Sequence, residues 1–168
     1  MEYTIRDTFD VSADRFWEVF FSDEYNAGLW PALEVDYTAL EFERKGEGKD
    51  LRIHRAQELT PHRQAPKVVQ KMVSGTVSYV EKNDYDASSS SMKVVTIPNF
   101  AADRVDNHGT FRVQALGDGK CERIWEGVCK VKIPLVGGQV EKYLVGEIQE
   151  SYRKATDYTR KFLASHPG

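Results

Sequence analysis

Cysteine is scarce: two residues in 168, Cys121 and Cys129, eight positions apart in one extended stretch. Extended backbone advances about 3.3 Å per residue, so the two lie up to roughly 26 Å apart, whereas a disulfide needs Cα atoms within about 7 Å. Unless a turn intervenes they cannot pair, and without a Cys-x-x-Cys they give no metal signature. Both read as buried filler. The four histidines, His54, His62, His108 and His166, never fall at His-x-x-His or comparable spacing, so neither a metal site nor a cofactor is expected. A Gly-x-Ser-x-Gly elbow and a phosphate-cradling glycine loop are also missing. Positive charge is in deficit, with 23 Lys and Arg against 26 Asp and Glu and a net charge of −3. That excludes the broad basic face by which nucleic-acid binders recover phosphate binding energy. No apolar run approaches the roughly 18 residues of a membrane span, so no integral membrane segment is expected. Met1 to Arg6 alternates like a strand and lacks the basic-then-apolar layout of a signal peptide, which points to a cytoplasmic protein.

What remains is an ordinary globular composition, 40% hydrophobic and 29% charged, over a length that suits a single domain, 1–168. Tyr3, Ile5 and Phe9 alternate with polar neighbours in a first strand over about residues 2–10, with Asp7 on the apolar parity. Ser12 and Ser22 are helix N-caps for two short tandem helices, the second carrying Tyr25, Leu29 and Trp30 and stopping at Pro31. Strands follow at about 33–44, 50–58, 76–86, 91–98, 107–116 and 121–133. A parity change near Thr38-Ala39 predicts a bulge, and 68–73 adds a helical turn. The runs Ser88–Ser91 and Gly117–Gly119 read as hairpin connections.

The last third is the most informative. Trp125, Gly127, Cys129, Val131 and Ile133 share one strand face. After Pro134-Leu135-Val136-Gly137-Gly138, apolar residues recur at Val140, Leu144, Ile148, Tyr152, Ala155, Thr159 and Leu163, with Tyr143 and Phe162 widening the stripe. About 28 residues give roughly 42 Å of helix, enough to cross an antiparallel sheet. The fold class is therefore α+β: a curved antiparallel sheet of about seven strands wrapped around one long C-terminal helix, with two short helices between strands 1 and 2.

The element order, the run Lys130-Val131-Lys132-Ile133-Pro134-Leu135-Val136-Gly137-Gly138-Gln139-Val140-Glu141-Lys142 and the segment Tyr25-Asn26-Ala27-Gly28-Leu29-Trp30 resemble the helix-grip domains of the START-like superfamily, in an uncharacterised bacterial branch. That superfamily includes the polyketide cyclases and the plant pathogenesis-related proteins. The resemblance implies an internal cavity for a lipid, sterol, polyketide or other apolar ligand, and it does not fix one chemistry.

Strand parity and helix stripe together give a candidate lining: Tyr37, Ile53, Tyr79, Phe111, Trp125 and Gly127 from the sheet, and Val140, Leu144, Ile148 and Tyr152 from the helix. Arg55 on an apolar parity, and Trp30 in the segment that the resemblance implies lies near the cavity mouth, complete the set. The same residues would equally fill a solid core. Gly127 is either a place where something approaches closely or a bulge. Asp7 and Arg55 are charges on apolar parities: either they lie at strand ends reached by water, or they form a buried pair that orients a ligand or moves a proton. The Pro134–Gly138 junction offers an anion site or a tight turn. Phe100 on the loop Pro98–Asp103 is a candidate gate, and the basic excess between Lys49 and Lys71 is either a solvated face or a transient contact with an anionic membrane. Three functions follow: a non-enzymatic carrier or sensor of a hydrophobic small molecule, favoured; a polyketide cyclase or dehydratase using the same chamber; and a protein-interaction module with a filled core.

Overall fold

The computed structural model describes residues 1–168. β1 (Glu2–Phe9) leads into α1 (Ala13–Phe20) and α2 (Asp23–Ala32), and β2 (Val35–Lys45) and β3 (Arg52–Pro61) follow. The short α3 (Lys67–Gln70) precedes β4 (Tyr79–Asp86), β5 (Ser91–Pro98), β6 (Val105–Gly117) and β7 (Lys120–Val131), and α4 (Gly137–Ser165) closes the chain. The strands form one antiparallel sheet in the order β1-β7-β6-β5-β4-β3-β2. The expected helix-grip class is therefore the fold.

Local chemistry explains the short elements. Ser12 Oγ accepts from the Arg15 N–H at 3.2 Å and Ser22 Oγ from the Tyr25 N–H at 3.3 Å, capping α1 and α2. Pro31 does not stop α2 as the sequence suggests. It occupies the last turn, and the chain leaves only after the Leu33 N–H closes on the Leu29 carbonyl at 3.0 Å and Glu34 turns left-handed at φ 57°. The bulge in β2 falls between Ala39 and Glu41, one residue beyond the expected parity change. Edge strand β2 is exposed beyond Val35, including Tyr37, Leu40 and Phe42.

α4 has 29 residues, about 43 Å at about 1.5 Å each. Val140, Leu144, Val145, Thr156, Thr159 and Phe162 are its buried residues beyond Gly137. α2 packs on its C-terminal half, where Tyr25 Oη and Thr159 Oγ1 hydrogen bond at 2.7 Å and Tyr158 donates to the Tyr25 carbonyl at 3.1 Å. Gly28 makes this contact possible, since a Cβ there would lie 2.2 Å from the Tyr158 hydroxyl.

The core divides into three clusters. Phe9, Phe16, Trp17, Ile53, Tyr85 and Phe111 close one end; Val69, Phe100, Cys129, Val140 and Leu144 close the other; Tyr25, Leu29, Trp30, Leu33 and Phe162 join α2 to α4. Phe100 is buried in the second cluster, so it is no loop-tip gate. Both cysteines are free and buried, and burial pushes each thiol up to about 11. The Pro134–Gly138 junction is a tight turn: the N–H groups of Gly137, Gln139 and Val140 close on the carbonyls of Ile133 and Val136. A Cβ on Gly137 would stand 2.6 Å from the Val131 carbonyl oxygen.

Candidate functional site

Where the three clusters fail to meet, a cavity of about 170 Å³ remains between α4 and the concave face of the sheet. Its floor is sheet: Met92 and Val94 from β5, Phe111 from β6, Trp125 from β7, and Tyr79 with Glu81 from β4. Its roof is one stripe of α4: Leu144, Ile148, Tyr152 and Ala155, with Glu147 and Ser151 beside them. Phe20, Leu29 and Trp30 form the end wall, and the rim runs through Leu33, Val35, Leu59 and Pro61. Sixteen of its 25 lining residues are hydrophobic, which is the composition of a small-molecule pocket.

The polar groups are few and ordered. Arg55 of β3 is 9% exposed, and burial lowers its guanidinium from the usual value while the Glu81 charge opposes the shift. Arg55 Nε donates to Asn83 Oδ1 at 2.8 Å and Nη1 to Asn26 Oδ1 at 3.4 Å, so both its acceptors are neutral amide oxygens. The Phe20 and Phe21 rings lie 5.1 Å and 5.3 Å from Arg55 Cζ. Asn83 in turn donates to Glu81 Oε1 at 3.0 Å, and Gln57 donates to the same oxygen at 3.2 Å. An amide thus stands between the buried guanidinium and its nearest carboxylate.

A second charged pair was only half visible in the sequence. Asp7 pairs with Arg123 of β7, not with Arg55. Arg123 also donates to Thr156 Oγ1 of α4 at 2.6 Å, and its Cζ lies 4.7 Å from the Tyr152 ring centre. Arg123 shares strand parity with Trp125 and Gly127, and that parity was the signal for its inward side chain. At the rim, Arg63 Nη2 stands 3.0 Å from Glu147 Oε2, an ionic contact without hydrogen-bond alignment. Burial pushes the Glu147 carboxyl up, partly offset by Arg63. Seven residues along α4, Lys154 donates to Glu34 at 2.7 Å. These two pairs tie α4 to the residues just after β3 and just before β2.

Of the expected lining residues, the structure brings Trp30, Arg55, Tyr79, Phe111, Trp125, Leu144, Ile148 and Tyr152 to the cavity. Four others lie outside it. Tyr37 is exposed on edge strand β2, its ring 5.7 Å from Trp30. Ile53 is buried in the cluster around Trp17, and Val140 in the cluster around Val69. Gly127 is not among the residues lining the cavity, and it forms no bulge, because β6 and β7 pair without interruption through it. Its missing side chain makes room for Trp125 and Tyr3: a Cβ would lie 2.5 Å from Trp125 Nε1 and 2.7 Å from Tyr3 Cζ. The basic stretch also breaks up, with Arg55 buried, Arg52 on Asp86 and Arg63 on Glu147. No helix is long and apolar enough to cross a membrane, and no cluster of His, Cys, Asp and Glu could hold a metal ion.

The model of a family described as a protein of unknown function (DUF2505) matches residues 4–163. No curated protein matches significantly. Among solved structures, the chain is similar to TTHA0849 from Thermus thermophilus, at 15% identity over 100% of both chains with a TM-score of 0.64. It is similar to the Zhui aromatase/cyclase from Streptomyces sp. R1128, at 14% identity over 94% of this chain and 90% of that one, TM-score 0.58. It is also similar to norcoclaurine synthase from Thalictrum flavum in complex with dopamine and hydroxybenzaldehyde, at 17% identity over 100% and 88%, TM-score 0.60. These likenesses establish the shared helix-grip fold.

Proposed function

The chain belongs to the DUF2505 family, and from that footing we propose that it binds a hydrophobic small molecule between α4 and the sheet, as a carrier or sensor. The observation that carries this reading is the apolar cavity itself, with a nine-tenths buried arginine in its wall. A hydrophobic guest there would remove its own apolar surface and that of the lining from water, a gain of about 25 cal/mol per Å². Its size limits the guest. An engineered apolar cavity of roughly 150 Å³ in another protein takes up benzene, so about 170 Å³ suits one ring with short substituents. A lipid or sterol would need α2 to part from α4.

The cyclase or dehydratase reading requires two titratable side chains within hydrogen-bond distance of each other in the cavity, and Arg123, which also lines it, meets Tyr152 only through the face of its ring. Arg55 and Glu81 both line it, yet each hydrogen bonds to Asn83 and not to the other. Asp7, the partner of Arg123, is not a lining residue. This separation favours binding without chemistry, although one similar structure is that of an aromatase/cyclase and another that of a synthase.

The test is saturable binding of ethylbenzene, read by Trp fluorescence and by chemical shifts of the α4 residues, together with native mass spectrometry of protein from its own host. One-to-one binding that disappears in Ala155→Phe, a variant that fills the roof while keeping the wild-type fold, supports the proposal. Unsaturable binding, or binding unaffected by Ala155→Phe, refutes it.

A further inference from the structure

The charges around the cavity come in opposite pairs: Arg55 with Glu81 through Asn83, Arg123 with Asp7, and Glu147 with Arg63. An additional net charge brought into such a place would lose its hydration without gaining an uncompensated partner. An uncharged polar group meets no such penalty. It can accept from a guanidinium and donate to a carboxylate at the same time.

The wall offers that combination. The Arg55 Nη2 group makes no hydrogen bond within the protein, and its neighbours Nε and Nη1 are held by Asn83 and Asn26, which fixes the plane of the guanidinium. Glu81 Oε1 is held by two amide donors, whereas Oε2 accepts from none, and both residues line the cavity. Asn83, fully buried, ties the two side chains into one rigid unit. We propose that the ligand is an electrically neutral, ring-sized molecule carrying a carbonyl oxygen and a separate hydroxyl, the first accepting from Arg55 and the second donating to Glu81. This rests on the cavity-binding reading above and adds the ligand's charge and polar pattern to it.

Three probes of similar size separate the two claims: 3′-hydroxyacetophenone, neutral, with a hydroxyl too far from its carbonyl to close on it; 3-hydroxybenzoate, the same frame as an anion; and ethylbenzene, without polar atoms. Isothermal titration at neutral pH is expected to rank the hydroxyketone at least tenfold tighter than 3-hydroxybenzoate and tighter than ethylbenzene. In Glu81→Gln the guanidinium loses its countercharge, and the ranking of 3-hydroxybenzoate and hydroxyketone is expected to reverse. 3-Hydroxybenzoate binding the wild type as tightly as the hydroxyketone, or ethylbenzene matching the hydroxyketone, overturns this inference while leaving the cavity reading intact. Failure of all three probes overturns both. The wild-type ranking decides the matter even where Glu81→Gln does not fold.

Discussion

At the scale of single residues, two glycines hold the floor of the cavity in place. Gly109 of β6 and Gly127 of β7 are directly paired, and the Trp125 indole reaches across both. A Cβ on Gly109 would lie 2.5 Å from Trp125 Cη2, and one on Gly127 would lie 2.5 Å from Nε1. The bare backbone is a seat for the ring, which lies 5.6 Å from Tyr152 across the cavity margin. Gly127→Ala should therefore displace Trp125 and cost about 1–3 kcal/mol, the range for an overpacked core. Urea denaturation followed by Trp fluorescence measures it; a neutral substitution would mean that the indole has room to move.

Between elements, Asp7, Arg123 and Thr156 join edge strand β1, the adjacent strand β7 and helix α4. Arg123 is 3% exposed, so removing its carboxylate leaves a buried unpaired cation. Asp7→Ala is expected to lose about 3–5 kcal/mol, seen as a lower urea midpoint. On the outer face, His54 of β3 bridges Asp84 of β4 at 2.8 Å and Glu41 of β2 at 2.9 Å. The hydrogen bonds to these carboxylates raise its value above the ordinary histidine range. A raised folded value means that the protonated bridge stabilises fully below about pH 6.5, the unfolded value, and fades as pH climbs through the folded one. The stability difference between wild type and His54→Gln should be largest below about pH 6.5 and shrink as pH rises above it. A difference that does not change with rising pH would mean the bridge carries no charge.

For the molecule as a whole, two ion pairs tie α4 to the segments beside the cavity: Arg63–Glu147 just after β3 and Glu34–Lys154 just before β2. At about 1 M salt the screening length shrinks to roughly 3 Å, and partly exposed pairs weaken. Both association and dissociation rates of ethylbenzene should rise with salt while the affinity changes little, measured by stopped-flow fluorescence. Rates insensitive to salt would place the entry path elsewhere.

The amino-acid sequence by itself determined the order of elements, the antiparallel sheet and the long terminal helix, because period-two and period-3.6 patterns are local properties of the chain. It also marked Arg55, Trp125 and Tyr152 as inward residues, since parity and helical stripe report direction. What it left undecided is depth. Ile53 and Val140 point the same way as Tyr79 and Leu144, yet they fall where α1 and α3 have already filled the space. Likewise a glycine's empty volume is claimed by whichever ring lies nearest in three dimensions, and at Gly127 that ring is Trp125. The pairing of Asp7 with Arg123, 116 residues away, follows from β1 lying beside β7 at the sheet's edge. Only the packing of distant elements against one another decided which inward-facing side chains fill the core and which surround a cavity.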